Sequence, residues 1–231
     1  MRIIASIVVN DEAAYRTQNF KEITYLGDPI NIAKLLEAMK YDEICFINVN
    51  RGIFNTKSEI DTNFISLIKR VCRNVRIPIS VIVDVESDLY VQMLFDQGID
   101  RIYCELSMEK QKLMFNWSEQ FGRQSIGLTQ GYDKLINLKD VEIDTSYFCE
   151  LRVYNKHSDN IYDIKRNFAR YSKISKDFQL PLVIANGISR NNLEQYINLS
   201  YVVGLNVSSM TNSIGKNAAP FIVANPLRIC R

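Results

Sequence analysis

The chain has 231 residues, 47% of them hydrophobic and 23% charged, which suits one soluble domain over residues 1–231 with a large core and no linker to divide it. Twenty-eight lysines and arginines stand against 26 acids, for a net charge of +2, and the two signs are interspersed. That leaves no basic stripe for a nucleic acid backbone and no charged block for a membrane surface.

The first ten residues, Met1 to Asn10, are apolar over too short a run for a signal peptide or spanning helix, and Asp11 and Glu12 follow directly. A cytoplasmic protein is expected. Cys45, Cys72, Cys104, Cys149 and Cys230 are widely spaced, odd in number and without a C-x-x-C pair, so they read as reduced core residues. One histidine and scattered acids give no metal-ligand cluster, and no cofactor is expected.

Short runs rich in isoleucine and valine predict eight strands in order: Ile3 to Val9, Ile44 to Val49, Ile79 to Val83, Arg101 to Cys104, Ser125 to Thr129, Phe148 to Tyr154, Leu182 to Ala185 and Val202 to Val207. Helical periodicity falls between them. Ile30, Ile32, Leu35, Leu36 and Met39 mark one stripe, introduced by Asp28 as N-cap and Pro29 in the first turn. Phe64, Leu67, Ile68 and Val71 mark another.

Strands apolar on both faces, alternating with helices, predict a parallel sheet covered by helices, and eight units point to a closed (β/α)8 TIM barrel. An open doubly wound sheet is the alternative. The connection between strands five and six, Gln130 to Tyr147, leaves room only for a stunted helix around Tyr132 to Leu138, and the tail after Ser213 has little helical period. The halves also echo each other: Ile77-Pro78-Ile79-Ser80-Val81 recurs as Leu180-Pro181-Leu182-Val183-Ile184, and Leu94, Ile99 and Ile102 correspond to Ile197, Val202 and Leu205. Two half-barrel repeats would produce this.

An ordered set of short pieces adds a family. Arg2-Ile3-Ile4-Ala5, Asn19-Phe20 before Gly27-Asp28-Pro29, Asp42 to Ile47, Ile77-Pro78, Gly98 to Arg101, Phe121 to Gln124 and Pro181 to Gly187 occur in one sequence. Together they resemble the histidine-biosynthesis barrels, in particular the cyclase subunit of imidazole glycerol phosphate synthase. The resemblance implies ring closure with ammonia delivered through the barrel from a docked glutaminase, and two aspartates as general acid and base at the ends of strands one and five. Here those positions are Val8 and Gly131, and neither carries a proton. Asp11 and Asp133, slightly further on, read as loop carboxylates.

The phosphate sites implied by the resemblance divide in the same way. Where the N-terminal half should have a glycine turn and an Asn-Thr pair, the chain has Ile82-Val83-Asp84 and Glu105-Leu106, and the two acids would repel a dianion. The C-terminal half keeps Gly187 and Ser208 as candidate phosphate ligands, and Asp159 matches a substrate-contacting aspartate. His157 beside it is the one side chain that titrates near neutrality, so His157 and Asp159 are the candidate catalytic pair.

At the opposite mouth the resemblance implies a ring of alternating charges that gates ammonia. Its positions are Arg2, Glu43, Arg101 and Glu150, all with the expected sign. The implied function is a diverged synthase-like subunit that accepts ammonia from a glutaminase and acts on a small phosphorylated or sugar-derived substrate in cell-surface polysaccharide biosynthesis. A non-catalytic scaffold and an authentic histidine-biosynthesis enzyme remain as alternatives.

Overall fold

A computed structural model describes residues 1–18, 22–49, 60–83, 87–105, 107, 110–131, 134–135, 143–154, 164–185, 188 and 193–207. Eight parallel strands close into a barrel: β1 (Arg2–Asn10), β4 (Glu43–Asn48), β5 (Ile79–Val83), β6 (Arg101–Glu105), β7 (Ile126–Gly131), β8 (Leu151–Tyr154), β9 (Leu182–Ala185) and β10 (Val202–Asn206). Closure is made by β1, which pairs with β4 on one side, Ser6 opposite Cys45, and with β10 on the other, Ile4 opposite Asn206. The open doubly wound alternative is thereby excluded. Helices α1 (Pro29–Ala38), α2 (Thr62–Asn74), α3 (Asp88–Asp96), α4 (Gln111–Phe121), α5 (Ile164–Phe178) and α6 (Leu193–Ile197) run between the strands.

Alternation along each strand sorts the apolar residues into two cores. Ile3, Ala5, Ile7 and Val9 of β1 join Ile44, Phe46, Val81, Ile102, Leu128, Leu151 and Ile184 in the large layer beneath the helices. Ile4 and Val8 point the other way, into a small cluster with Cys45, Ile47, Tyr103 and Val183 inside the barrel. Echoed positions in the two halves occupy equivalent places: Val81 and Ile184, and likewise Ile102 and Leu205, all face the helices four strands apart.

The helix starts follow from their caps. Asp28 accepts a hydrogen bond from the Asn31 backbone N–H at 2.8 Å, ahead of Pro29. Asp61 accepts from the Phe64 N–H and from Asn48 Nδ2, both at 2.9 Å, tying the start of α2 to the end of β4.

Two further strands were passed over by the count of apolar runs. β2 (Ala13–Gln18) and β3 (Glu22–Gly27) form an antiparallel hairpin on β1, so the sheet has ten strands among the described residues, the eight of the barrel and these two. The chain turns back at Asp11, whose φ is 52°. Among the described hairpin side chains only Ala14 is buried, and the Tyr15 and Tyr25 rings meet edge to face across the strands at 5.9 Å. A strand stabilised mainly by its pairing leaves no apolar run to read.

The connection from β7 to β8 contains a helical turn at residues 134–135 and a 3-10 turn at Thr145–Tyr147. Most of the expected stunted helix, and the tail from Ser208 onward, lie outside the described residues. No helix among the described residues is long and apolar enough to cross a membrane.

Candidate functional site

The N-terminal mouth is built by acids standing just before strands. Asp42 Oδ2 accepts the Ile3 N–H at 2.8 Å, while its own N–H donates to the Ile3 carbonyl. Asp100 does the same one strand pair further round, accepting the Ile79 N–H at 2.9 Å and donating to the Ile79 carbonyl. Each clamp fixes the register of the residue that follows it. Those residues are Glu43 and Arg101, and alternation turns both inward.

Arg2, Glu43, Arg101 and Glu150 converge there. Arg2 Nη2 donates to both Glu150 oxygens at 2.7 and 2.6 Å, and its Nη1 lies 3.6 Å from Glu43. Arg101 Nη1 bridges the same two carboxylates, 3.0 Å from Glu43 and 3.3 Å from Glu150. Ser80 Oγ donates to the remaining Glu43 oxygen at 2.6 Å. Two positive and two negative charges therefore neutralise one another, each with more than one contact, as burial of charge requires. Burial works against the charge on Arg2 and on Arg101, but Glu150 and Glu43 outweigh it and hold both guanidiniums above their ordinary range. Burial pushes the Glu43 carboxyl up, with Arg2 and Arg101 pulling it back in part.

Tyr103 packs directly above, in the small cluster inside the barrel. Its side chain is wholly buried, and its hydroxyl donates to Glu150 Oε1 at 2.5 Å. The ring lies against Gly127, where an added Cβ would come within 2.6 Å of it, so glycine is required to seat the tyrosine. Burial, then Glu43 and Glu150, push the phenol well above its usual range and keep it a donor. Sequence reading missed Tyr103, Asp42, Asp100 and Ser80; the signal available for the acids was their position one residue before a strand.

Stagger arranges the rest of the interior. Hydrogen-bonded partners lead from Arg2 through Gly204, Val183, Arg152 and Thr129 to Glu105, and from Ser6 through Cys45 and Ser80 to Arg101. The two paths lie four residues apart at both ends, a total shear of about eight. The middle level is therefore shared by Cys45, Tyr103, Arg152 and Asn206 from alternate strands, with Ser6, Ile82, Thr129 and Ala185 just above. Cys45 is fully buried and its thiol is pushed up to about 11 by that burial, with Arg152 pulling the other way.

At the C-terminal end the two expected acid–base positions are occupied as follows. Val8 is 8% exposed and belongs to the small apolar cluster inside the barrel. Gly131 ends β7, its N–H donating to Gln130 Oε1, with the Tyr154 ring nearby. Glu105 is paired with Lys134. Burial, then Glu105, push the Tyr154 hydroxyl up to about 12. The candidate residues His157, Asp159, Gly187 and Ser208 lie outside the described residues, as do Asp84 and Asp133. Among the described residues no group of three or more His, Cys, Asp or Glu could hold a metal.

Residues 2–137 match the family model described as histidine biosynthesis protein. The chain is 27% identical over 145 residues to the imidazole glycerol phosphate synthase subunit HisF of Hydrogenobaculum sp. (strain Y04AAS1), covering 62% of this chain and 53% of that protein. It is 26% identical over 161 residues to the HisF subunit of Saccharolobus solfataricus, covering 69% and 60% respectively. A protein of Vibrio vulnificus named putative imidazole glycerol phosphate synthase subunit hisF3 is 22% identical over 126 residues, covering 54% and 46%. The chain thus spans about half the length of the curated relatives it matches. The closed barrel, the charge ring at its N-terminal mouth and the match over residues 2–137 place this chain, as a diverged HisF-like member, in the histidine biosynthesis protein family.

Proposed function

We propose that this chain is the barrel subunit of a glutamine-dependent complex, with a glutaminase docked over its N-terminal mouth. The observation that carries this reading is the four-charge ring. A buried ion-pair cluster is a poor way to plug a barrel for stability alone, since well-packed apolar residues of similar volume serve as well or better. A neutral ring with two partly exposed arginines suits a face that meets another protein and handles a small polar cargo such as ammonia. Arg2 is 30% exposed and Arg101 16%, whereas the two glutamates are sealed beneath them.

The substrate on this reading is a small phosphorylated or sugar-derived compound of cell-surface polysaccharide biosynthesis. The family's own ring closure is not supported, because Val8 and Gly131 offer no acid or base. His157 and Asp159 are the proposed replacements, with Gly187 and Ser208 holding a phosphate.

A second reading, a barrel without turnover that serves as a scaffold, is favoured by Val8 in its apolar cluster and by Tyr103 packed in the same cluster above the ring. One experiment separates them. A tagged chain is recovered from its own cells and the co-purifying proteins identified, for the native sequence and for Glu43→Arg. A stoichiometric glutaminase that is lost on charge reversal, with the variant still folded by circular dichroism, supports the complex. Its absence from the native preparation leaves the scaffold.

A further inference from the structure

Two side chains in the middle of the barrel carry donors that nothing among the described residues accepts. Arg152 lies between Leu151 and Val153, which face the helices, so its side chain runs inward. It is 7% exposed, its one hydrogen bond is a long contact from Nη1 to Thr129 Oγ1 at 3.3 Å, and its Nε is buried without a partner. No carboxylate among the described residues pairs with it. Asn206 enters from β10 at the same level, 1% exposed. Its Oδ1 accepts from Ser6 Oγ at 2.7 Å and its Nδ2 is buried without a partner.

Among the described residues, the acids that face the barrel interior are already engaged. Glu43 and Glu150 are shared between Arg2 and Arg101, and Glu105 is held by Lys134. A guanidinium sealed in an interior without a counter-charge is costly, and an unpaired amide beside it adds to the cost. The planar fork of an arginine is matched by the paired oxygens of a carboxylate or phosphate, and an amide N–H extends that match. Below, the interior is filled by Tyr103 and the ring, so a ligand larger than ammonia would enter from the C-terminal mouth.

We propose that Arg152 and Asn206 form an oxyanion site inside the barrel, which takes the phosphate or carboxylate group of a small ligand entering from the C-terminal mouth. Recognition here uses side chains from β8 and β10 rather than backbone amides of glycine turns. The site does not depend on a glutaminase partner, so it is tested on the chain alone.

The test is thermal unfolding at constant ionic strength, with sodium phosphate and sodium acetate each titrated against sodium chloride. The native chain melts at progressively higher temperature with one of the two anions, and which one responds identifies the group bound. Arg152→Met weakens that response by roughly tenfold to a hundredfold, as expected for loss of a charge-assisted hydrogen bond. In chloride alone the variant melts no lower than the native chain, because a buried unpaired charge has gone. Asn206→Leu, which keeps the charge, also weakens the response, by a smaller factor. A native chain indifferent to both anions overturns the proposal. So does an Arg152→Met chain that responds like the native one or fails to fold, since the guanidinium is then a strut.

Discussion

The two levels of this barrel treat buried charge in opposite ways. At the N-terminal mouth four charges are packed so that each carboxylate meets both guanidiniums, and Ser80 and Tyr103 take up further oxygens. One level higher, Arg152 is nearly as buried as Glu150, yet it has only a 3.3 Å contact with a hydroxyl. The lower level balances its charges within itself, although Arg2 Nε is buried without an acceptor, whereas Arg152 on the upper level has no counter-charge among the described residues. A balanced charge marks a part of the molecule that holds its own shape, and an uncompensated one marks a part that waits for something else.

The largest test of that contrast removes Glu150, the acceptor shared by Arg2, Arg101 and Tyr103. Glu150→Leu leaves two guanidiniums competing for Glu43 and a buried hydroxyl without its acceptor. Urea unfolding is expected to report a loss of about 3–5 kcal/mol. Loss of less than about 1 kcal/mol would mean that the ring is loosely solvated, and the contrast between the levels would collapse.

The next test asks how firmly the C-terminal end has given up its carboxylates. Val8→Asp buries an acid among Ile4, Cys45, Ile47, Tyr103 and Val183, and is expected to cost about 3 kcal/mol at neutral pH. Gly131→Asp meets only ordinary contact with Tyr154, whose nearest atom would lie 3.5 Å from the new Cβ, and is expected to cost less than about 1 kcal/mol. The new carboxyl at position 8 has its pKa raised by burial, so its charge penalty fades as pH falls from that raised value towards the ordinary aspartate range and is gone below it. Equal losses for the two variants in parallel unfolding curves would show that the end is uniformly closed. Unequal ones locate the rigid side at β1.

How much of this was legible follows from what each residue's signal was. All eight barrel strands and the first two helices announced themselves, because a strand buried on both faces is a run of isoleucine and valine, and a helix on a barrel is a stripe. The β2–β3 hairpin did not, since among its described side chains only Ala14 is fully buried and much of its hold is backbone pairing. The ring was legible only as four charges at strand starts with the right signs; their convergence depends on Asp42 and Asp100 clamping the register. Arg152 stood in plain view between Leu151 and Val153, an arginine inside an apolar strand. The alternation that turns it inward is a sequence signal, but its lack of a counter-charge is a fact about the opposite strands. Tyr103 was likewise readable as an inward residue, whereas its fit over Gly127 was not.

The smallest effect concerns the thiol that shares Arg152's level. Cys45 is fully buried, and burial pushes its thiol from an ordinary 9 to about 11 in spite of Arg152. The folded state therefore holds the Cys45 proton more tightly than the unfolded chain does. Its contribution to stability is fully present below about pH 9 and is lost as pH rises through about 11. At the top of that window the loss from this residue amounts to roughly 2 kcal/mol, with Cys149, also pushed up to about 11, acting in the same direction. Denaturant midpoints measured between pH 8 and pH 11, compared with those of Cys45→Ala, should show the variant falling less steeply. If both curves fall together, the thiolate is reached and stabilised inside the barrel by Arg152. The guanidinium would then already have an anion within the protein, and the difference between the two levels would be one of pH rather than of missing ligand.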